Sequence, residues 1–196
     1  MARPAFKRWW TQFVPPPIER SVYVLFANLC MIQLLWQWRP LGPVVWDVQH
    51  PVWRATLHGL FAAGWLLVPL ASLMINHFDL FGSRQVWLHL QRKPYTMLAF
   101  RTPMLYRLVR HPLYVGWMIA FWATPTMSAG HLLFAAFLTA YMLVVIPVEE
   151  RDLVDLFGDQ YEQYRRRVPG LIPRPRTLLA GDARPAAPAM DATAAD

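Results

Sequence analysis

The residues of this chain best suited to chemistry are Arg110-His111-Pro112-Leu113-Tyr114-Val115-Gly116-Trp117 and, one apolar run later, Glu149-Glu150-Arg151-Asp152. The first cluster sets a guanidinium, an imidazole and a phenol at the head of an apolar run. The second sets two carboxylates at the foot of the next. His111 supplies an imidazole, the side-chain type most often used for proton transfer. If a helix begins here, Arg110 and Tyr114 share a face at i and i+4. Pro112 suits its first turn, because the missing N–H would have no partner there. The free N–H groups of that turn can bind an anion such as a carboxylate. Glu149 and Glu150 offer the opposite charge, suited to an ammonium group or to ribose hydroxyls. Acidic residues contribute little to membrane topology and are costly near a bilayer. A role as plain interfacial anchors therefore suits them less than it suits Arg165-Arg166-Arg167, which mark the cytoplasmic side.

Other chemistries lack their residues. The six histidines are His50, His58, His77, His89, His111 and His131, with no His-x-x-x-His pair. The one cysteine, Cys30, lies inside an apolar run. Neither a metal site nor a disulfide framework is expected. No serine has the context of a nucleophile elbow, and the nine glycines form no G-x-G-x-x-G.

The elements that must position the two clusters are membrane helices. Of 196 residues, 56% are hydrophobic and 16% charged, against about 25% charged in a typical soluble domain. Four runs approach the roughly 20 apolar residues that cross a bilayer: Ser21–Trp38, Ala55–Ile75, Leu113–Ser128 (short, and interrupted by Pro125) and His131–Val148. They are apolar nearly all round, whereas helices of a soluble bundle carry broad polar faces. Lys and Arg collect before the first run, between the second and third, and after the fourth. An even number of spans with both termini cytoplasmic fits this placement. The +7 net charge is then a membrane signature, and no nucleic-acid partner is expected. Trp36, Trp38, Trp46 and Trp53 form an outer interfacial belt.

Two cytoplasmic stretches accompany the spans. The loop from Asn76 to Arg110 carries Phe78, Phe81, Trp87, Tyr95 and Phe100 and suggests a layer on the membrane surface. Glu149–Val168 predicts an interfacial amphipathic helix, with Leu153, Phe157, Tyr161, Tyr164 and Val168 on one face. The expected architecture is all-α: a polytopic integral membrane protein of about four transmembrane helices plus cytoplasmic interfacial helices. It forms one domain over residues 1–177, with a disordered Ala- and Pro-rich tail over 178–196.

Taken in order, Arg110-His111-Pro-x-Tyr114-x-Gly116, Glu149-Glu150-x-x-Leu153, Phe157-Gly158, Tyr161/Tyr164 and Arg167-Val168-Pro169 resemble the isoprenylcysteine carboxyl methyltransferase superfamily of membrane methyltransferases. Asn76-His77-Phe78-Asp79-Leu80-Phe81-Gly82 and Arg84-Gln85-Val86-Trp87 resemble its methanethiol S-methyltransferase branch. The resemblance implies S-adenosylmethionine (SAM) in a cytoplasm-facing pocket lined by Tyr106, Arg110, His111, Pro112, Leu113, Tyr114, Glu149 and Glu150. It implies a small thiol acceptor, a membrane-lipid surround, and methyl transfer from SAM to methanethiol to give dimethyl sulfide. His111 is the first candidate for deprotonating the thiol, with His77 and Asp79 as alternatives. Two departures stand out. An Arg that contacts the cofactor in the prenylcysteine enzymes has no counterpart in Val144-Val145-Ile146-Pro147. Met1 corresponds to an interior position of the methanethiol branch, so the domain is expected to lack N-terminal sequence found there. The alternatives are carboxyl methylation of a lipid-like acceptor, which needs a wide opening toward the bilayer, and a non-catalytic accessory protein of nitrogen-oxide respiration, which needs no SAM.

Overall fold

The computed structural model describes residues 9–15, 18–39, 41–75, 78, 81–94, 96 and 100–174. The elements run α1 (Glu19–Trp36), β1 (Val44–Asp47), α2 (Pro51–Met74), α3 (Ser83–Leu90), α4 (Met104–Leu108), α5 (Pro112–Trp122), β2 (Thr126–Ser128), α6 (Ala129–Phe157) and α7 (Asp159–Arg167). Local chemistry sets several of the boundaries. Pro51 and Pro112 occupy the first turns of α2 and α5, where a missing N–H costs nothing. The Ser128 hydroxyl caps α6 by accepting from the His131 N–H at 3.2 Å.

The α2–α5 pair is the frame of the molecule. The two helices run antiparallel and touch through small residues. A Cβ added at Gly64 would lie 2.7 Å from the Ala120 nitrogen and 2.8 Å from the Gly116 oxygen. One added at Gly116 would lie 3.0 Å from the Gly64 oxygen. Gly116-x-x-x-Ala120 is thus a small-residue stripe of the kind that lets membrane helices approach backbone to backbone. Trp65 and Trp117 meet edge to face beside it, 5.1 Å apart. Ala71, fully buried, continues the contact toward α4, where its carbonyl accepts from the Tyr106 hydroxyl at 3.4 Å.

α2 and α6 are long and apolar enough to cross a membrane, and in each only 11% of the most apolar stretch is buried against protein. A core helix of a soluble protein would be mostly buried. With Leu66, Leu70, Leu133, Phe137 and Val144 all exposed, these faces fit lipid, and the protein reads as membrane-embedded. The other two predicted spans are shorter. Ser21–Trp38 forms α1, whose 18 residues begin with Glu19 and Arg20. Leu113–Ser128 forms a helix of 11 residues, about 16 Å long at 1.5 Å per residue. Pro125 accounts for the difference. The helix stops at Trp122, and the chain turns into β2 rather than bending and continuing.

β2 and β1 pair antiparallel, Trp46 opposite Met127 and Asp47 opposite Thr126. This two-stranded sheet departs from the all-α expectation. Met127 is fully buried beneath it, and the Trp46 indole N–H donates to the Thr124 carbonyl at 3.2 Å. The sheet closes the end of the molecule opposite the two polar clusters, where Trp36, Trp38 and Trp53 are exposed.

The predicted continuous helix over Glu149–Val168 is two pieces. α6 carries the acidic pair and extends to Phe157; Gly158, at φ +56°, breaks the rod; α7 follows. A φ in that range suits glycine, which has no Cβ to clash. The proposed apolar face survives the break: Tyr161 is buried, and Leu153, Phe157, Tyr164 and Val168 are half-buried. In the surface layer, Phe78, Phe81 and Trp87 are exposed as expected, but Phe100 turns inward against Phe157, Tyr161 and Tyr164, with ring centroids 5.2–5.9 Å apart. Tyr95 and the 178–196 tail lie outside the described residues.

Candidate functional site

The two clusters meet. Because α5 and α6 are antiparallel neighbours, the start of α5 faces the end of the apolar part of α6. Successive residues on α6 point about 100° apart, so the acidic pair divides its work. Glu149 Oε2 accepts from the Tyr114 hydroxyl at 2.9 Å. Glu150 Oε1 accepts from Arg110 Nε at 2.8 Å, lies 2.8 Å from Arg110 Nη2, and is 3.0 Å from His111 Nε2. His111 and Glu150 are each only 7% exposed. This is a desolvated cluster rather than a surface ion pair.

Backbone geometry explains the reach of these side chains. The residue before a proline is kept out of the helical region, and His111 sits at φ −124°, ψ 62° as the N-cap of α5. Arg110 therefore lies outside the helix and does not share a helical face with Tyr114. His111 and Tyr114 are the paired residues instead, stacked at 24° with centroids 5.6 Å apart. Arg110 and His111 donate their backbone N–H groups to the carbonyls of Pro169 (2.8 Å) and Gly170 (3.1 Å). These two N–H groups are thus unavailable to an anion. Those of Leu113 and Tyr114, in the first turn of α5, lack an intrahelical acceptor by the geometry of a helix start.

Arg110 has a further function that its place in the motif does not announce. Its Nη1 donates to the carbonyls of Arg165 (2.9 Å) and Val168 (2.6 Å). One guanidinium thus ties the buried Glu150 of α6 to the end of α7. The Arg165 side chain stands 3.9 Å from Glu150 Oε2, closer to the site than a pure topology marker would be. Tyr164 adds a third tie, donating to the Tyr106 carbonyl at 2.6 Å. Tyr161 differs from its neighbours. Its hydroxyl is buried without a hydrogen-bond partner, while burial and then the negative charge of Glu150 push its pKa up to about 12. It remains a protonated donor in search of an acceptor. The Tyr-x-x-Tyr spacing marked both tyrosines in the sequence; nothing there separated the tied one from the orphan.

Pro112 is buried and Leu113 half-buried at the head of α5. Next to the cluster, an open groove of about 500 Å³ is lined by Leu143, Ile146 and Pro147 of α6 and by Pro169, Gly170, Leu171, Ile172, Pro173 and Arg174. It adjoins the cluster through Pro169 and Gly170, the residues whose carbonyls hold Arg110 and His111. His77 and Asp79 lie outside the described residues, as do Asn76 and Leu80 beside them.

No protein-family model matches the chain, and no solved structure does. Sequence relatives do. The chain is 57% identical over 178 residues to methanethiol S-methyltransferase 1 of Bradyrhizobium diazoefficiens, covering 91% of this chain and 62% of that protein. It is 52% identical to the methanethiol S-methyltransferase of Crocosphaera subtropica, covering 88% of this chain and 68% of that protein. To that of Mycobacterium tuberculosis it is 55% identical, covering 89% and 72%. The chain thus spans between three-fifths and three-quarters of the length of these relatives. At such identity, over nine-tenths of its own length, the chain belongs to the methanethiol S-methyltransferase family.

Proposed function

We propose that this chain carries the site of a membrane methyltransferase that moves a methyl group from SAM to methanethiol and releases dimethyl sulfide. The acceptor comes from the relatives. The observation that carries the site is the meeting of Arg110, His111 and Tyr114 with Glu149 and Glu150 across the α5–α6 pair, in a hydrogen-bonded network whose His111 and Glu150 are buried.

The residues present fit SAM. Glu149 Oε1 accepts no hydrogen bond from the described residues and would be available to the cationic part of such a ligand. The Leu113 and Tyr114 N–H groups suit its carboxylate. The orphaned Tyr161 hydroxyl is a buried donor of the kind a ligand satisfies. Tyr106, Pro112 and Leu113 would back the ligand, with Arg110 and Glu150 bracing them. When bound, SAM supplies an electrophilic methyl group on a sulfonium sulfur, which a thiolate takes by direct displacement. No protein nucleophile is needed. The chain has to accept the thiol proton, align the acceptor and keep water out. Alignment alone is worth about 7–11 kcal/mol in well-oriented systems. His111 is the proposed proton acceptor, with His77 and Asp79 as the second choice.

For topology we propose four spans, formed by α1, α2, α5 with its sheet, and α6. Both termini and the site are cytoplasmic, and lipid covers the apolar faces. The positive charge placement supports this orientation.

Detergent-solubilised protein supplied with labelled SAM and methanethiol should release labelled dimethyl sulfide into the headspace. Glu149→Ala should abolish SAM binding by calorimetry; tight binding retained by that variant would remove Glu149 from the pocket. No SAM binding by the unaltered protein would overturn the methyltransferase reading.

A further inference from the structure

We propose that Glu150 and Arg110 are positioning residues that fix the His111 tautomer and present its Nδ1 as the atom that takes the thiol proton. This rests on the methyl-transfer reading but is tested separately from it.

The argument starts at Glu150 Oε1, which receives Arg110 Nε, Arg110 Nη2 and His111 Nε2 within 2.8–3.0 Å. A carboxylate paired this closely with a guanidinium is ionised, and an ionised carboxylate only accepts hydrogen bonds. The ring nitrogen facing it must therefore carry a hydrogen. In the neutral imidazole that leaves Nδ1 as the acceptor. As the N-cap of α5, His111 makes no side-chain capping bond. Nδ1 has no hydrogen-bond partner among the described residues. It is unused. Stacking on Tyr114 and the backbone bond to Gly170 hold the ring plane.

The proton step balances. The S–H bond of the thiol breaks, its electron pair stays on sulfur, and the proton goes to Nδ1. The resulting imidazolium keeps its Nε2–H on Glu150, whose charge offsets the new one. Arg110 acts at one remove. It anchors Glu150 and, through Nη1, the backbone at Arg165 and Val168, so Glu150 cannot swing away when His111 becomes charged. Glu149, engaged by Tyr114, is left for the ligand. The two adjacent carboxylates thus divide into one that binds and one that orients.

The test uses the full chain in lipid nanodiscs, labelled with ¹⁵N-histidine, with the His111 signal identified by its loss in His111→Gln. The unaltered protein should show a protonated Nε2 and an unprotonated Nδ1; the reverse tautomer overturns the proposal without any variant having to fold. Glu150→Gln, which can donate as well as accept, should mix the tautomers and lower kcat about a hundredfold. SAM affinity should remain within about threefold, and Glu150→Asp should restore most of the tautomer and the rate. If Glu150→Gln leaves the tautomer unchanged, or removes SAM binding while the tautomer persists, Glu150 is not the orienting group. SAM binding by the unaltered protein, measured in the same nanodiscs, separates failure of this proposal from failure of the methyl-transfer reading.

Discussion

Two glycines of α2 offer a matched experiment. At Gly64 an added Cβ would meet the Ala120 nitrogen at 2.7 Å, the Gly116 oxygen at 2.8 Å and Ile119 Cγ2 at 3.1 Å; at Gly59 it would meet nothing within 4 Å. The two close atoms facing Gly64 belong to backbone, which cannot rotate aside as a side chain can. Gly64→Ala must therefore push α5 off α2. Forcing a methyl group into a closed contact costs about 1–3 kcal/mol, against a helix-propensity gain of roughly 1 kcal/mol for replacing glycine with alanine. Gly59→Ala collects the gain without the clash. The two variants should therefore differ by about 1–3 kcal/mol in stability, Gly64→Ala being the weaker. Unfolding of both proteins in the same detergent, followed by tryptophan fluorescence, measures the difference. Gly64→Ala should also lose SAM affinity, because α2 sets where the head of α5 stands. Equal stability of the two variants would show that the α2–α5 crossing is looser than its geometry implies, and would refute its role as the frame of the site.

Three further outcomes follow from single groups. Arg110→Ala should destabilise the protein by about 3–5 kcal/mol, because it strands a buried Glu150 carboxylate; chemical denaturation in detergent measures this. Tyr161→Phe removes a buried hydroxyl that has no partner and should be neutral or stabilising by about 1 kcal/mol in the ligand-free protein. A loss of SAM affinity in that variant would identify the hydroxyl as a ligand contact. Asp47→Ala breaks an ion pair with Arg54 whose side chains are 43% and 36% exposed; it should cost less than about 1 kcal/mol and leave SAM binding unchanged.

Much of this architecture is legible along the chain because membrane helices are written locally. The apolar runs at Ala55–Ile75 and His131–Val148 reappear as α2 and α6, and Pro112 opens α5 as its chemistry requires. The nearness of the Arg110–Tyr114 cluster to Glu149 and Glu150 follows from a tight antiparallel pair with polar groups at matching ends. Other features depend on partners that sequence spacing cannot name. Gly64 and Gly116 look like scattered glycines until the helices cross at them. The β1–β2 pair joins residues about 80 positions apart, and three- or four-residue strands carry too little periodicity to be read locally. Gly158 ends a rod whose apolar face runs on across the break.

The acidic pair shows the same division most clearly. The residue types alone supply a base, two carboxylates and a helix start, and the family motif sets them in order, because chemistry and local backbone preference are properties of residues and their neighbours. Which carboxylate stays open and which is locked was decided only in three dimensions. That choice depends on the rotation between Glu149 and Glu150 on α6, on the non-helical backbone imposed at His111 by Pro112, and on carbonyls at Arg165, Val168, Pro169 and Gly170 that become acceptors only once α7 folds back.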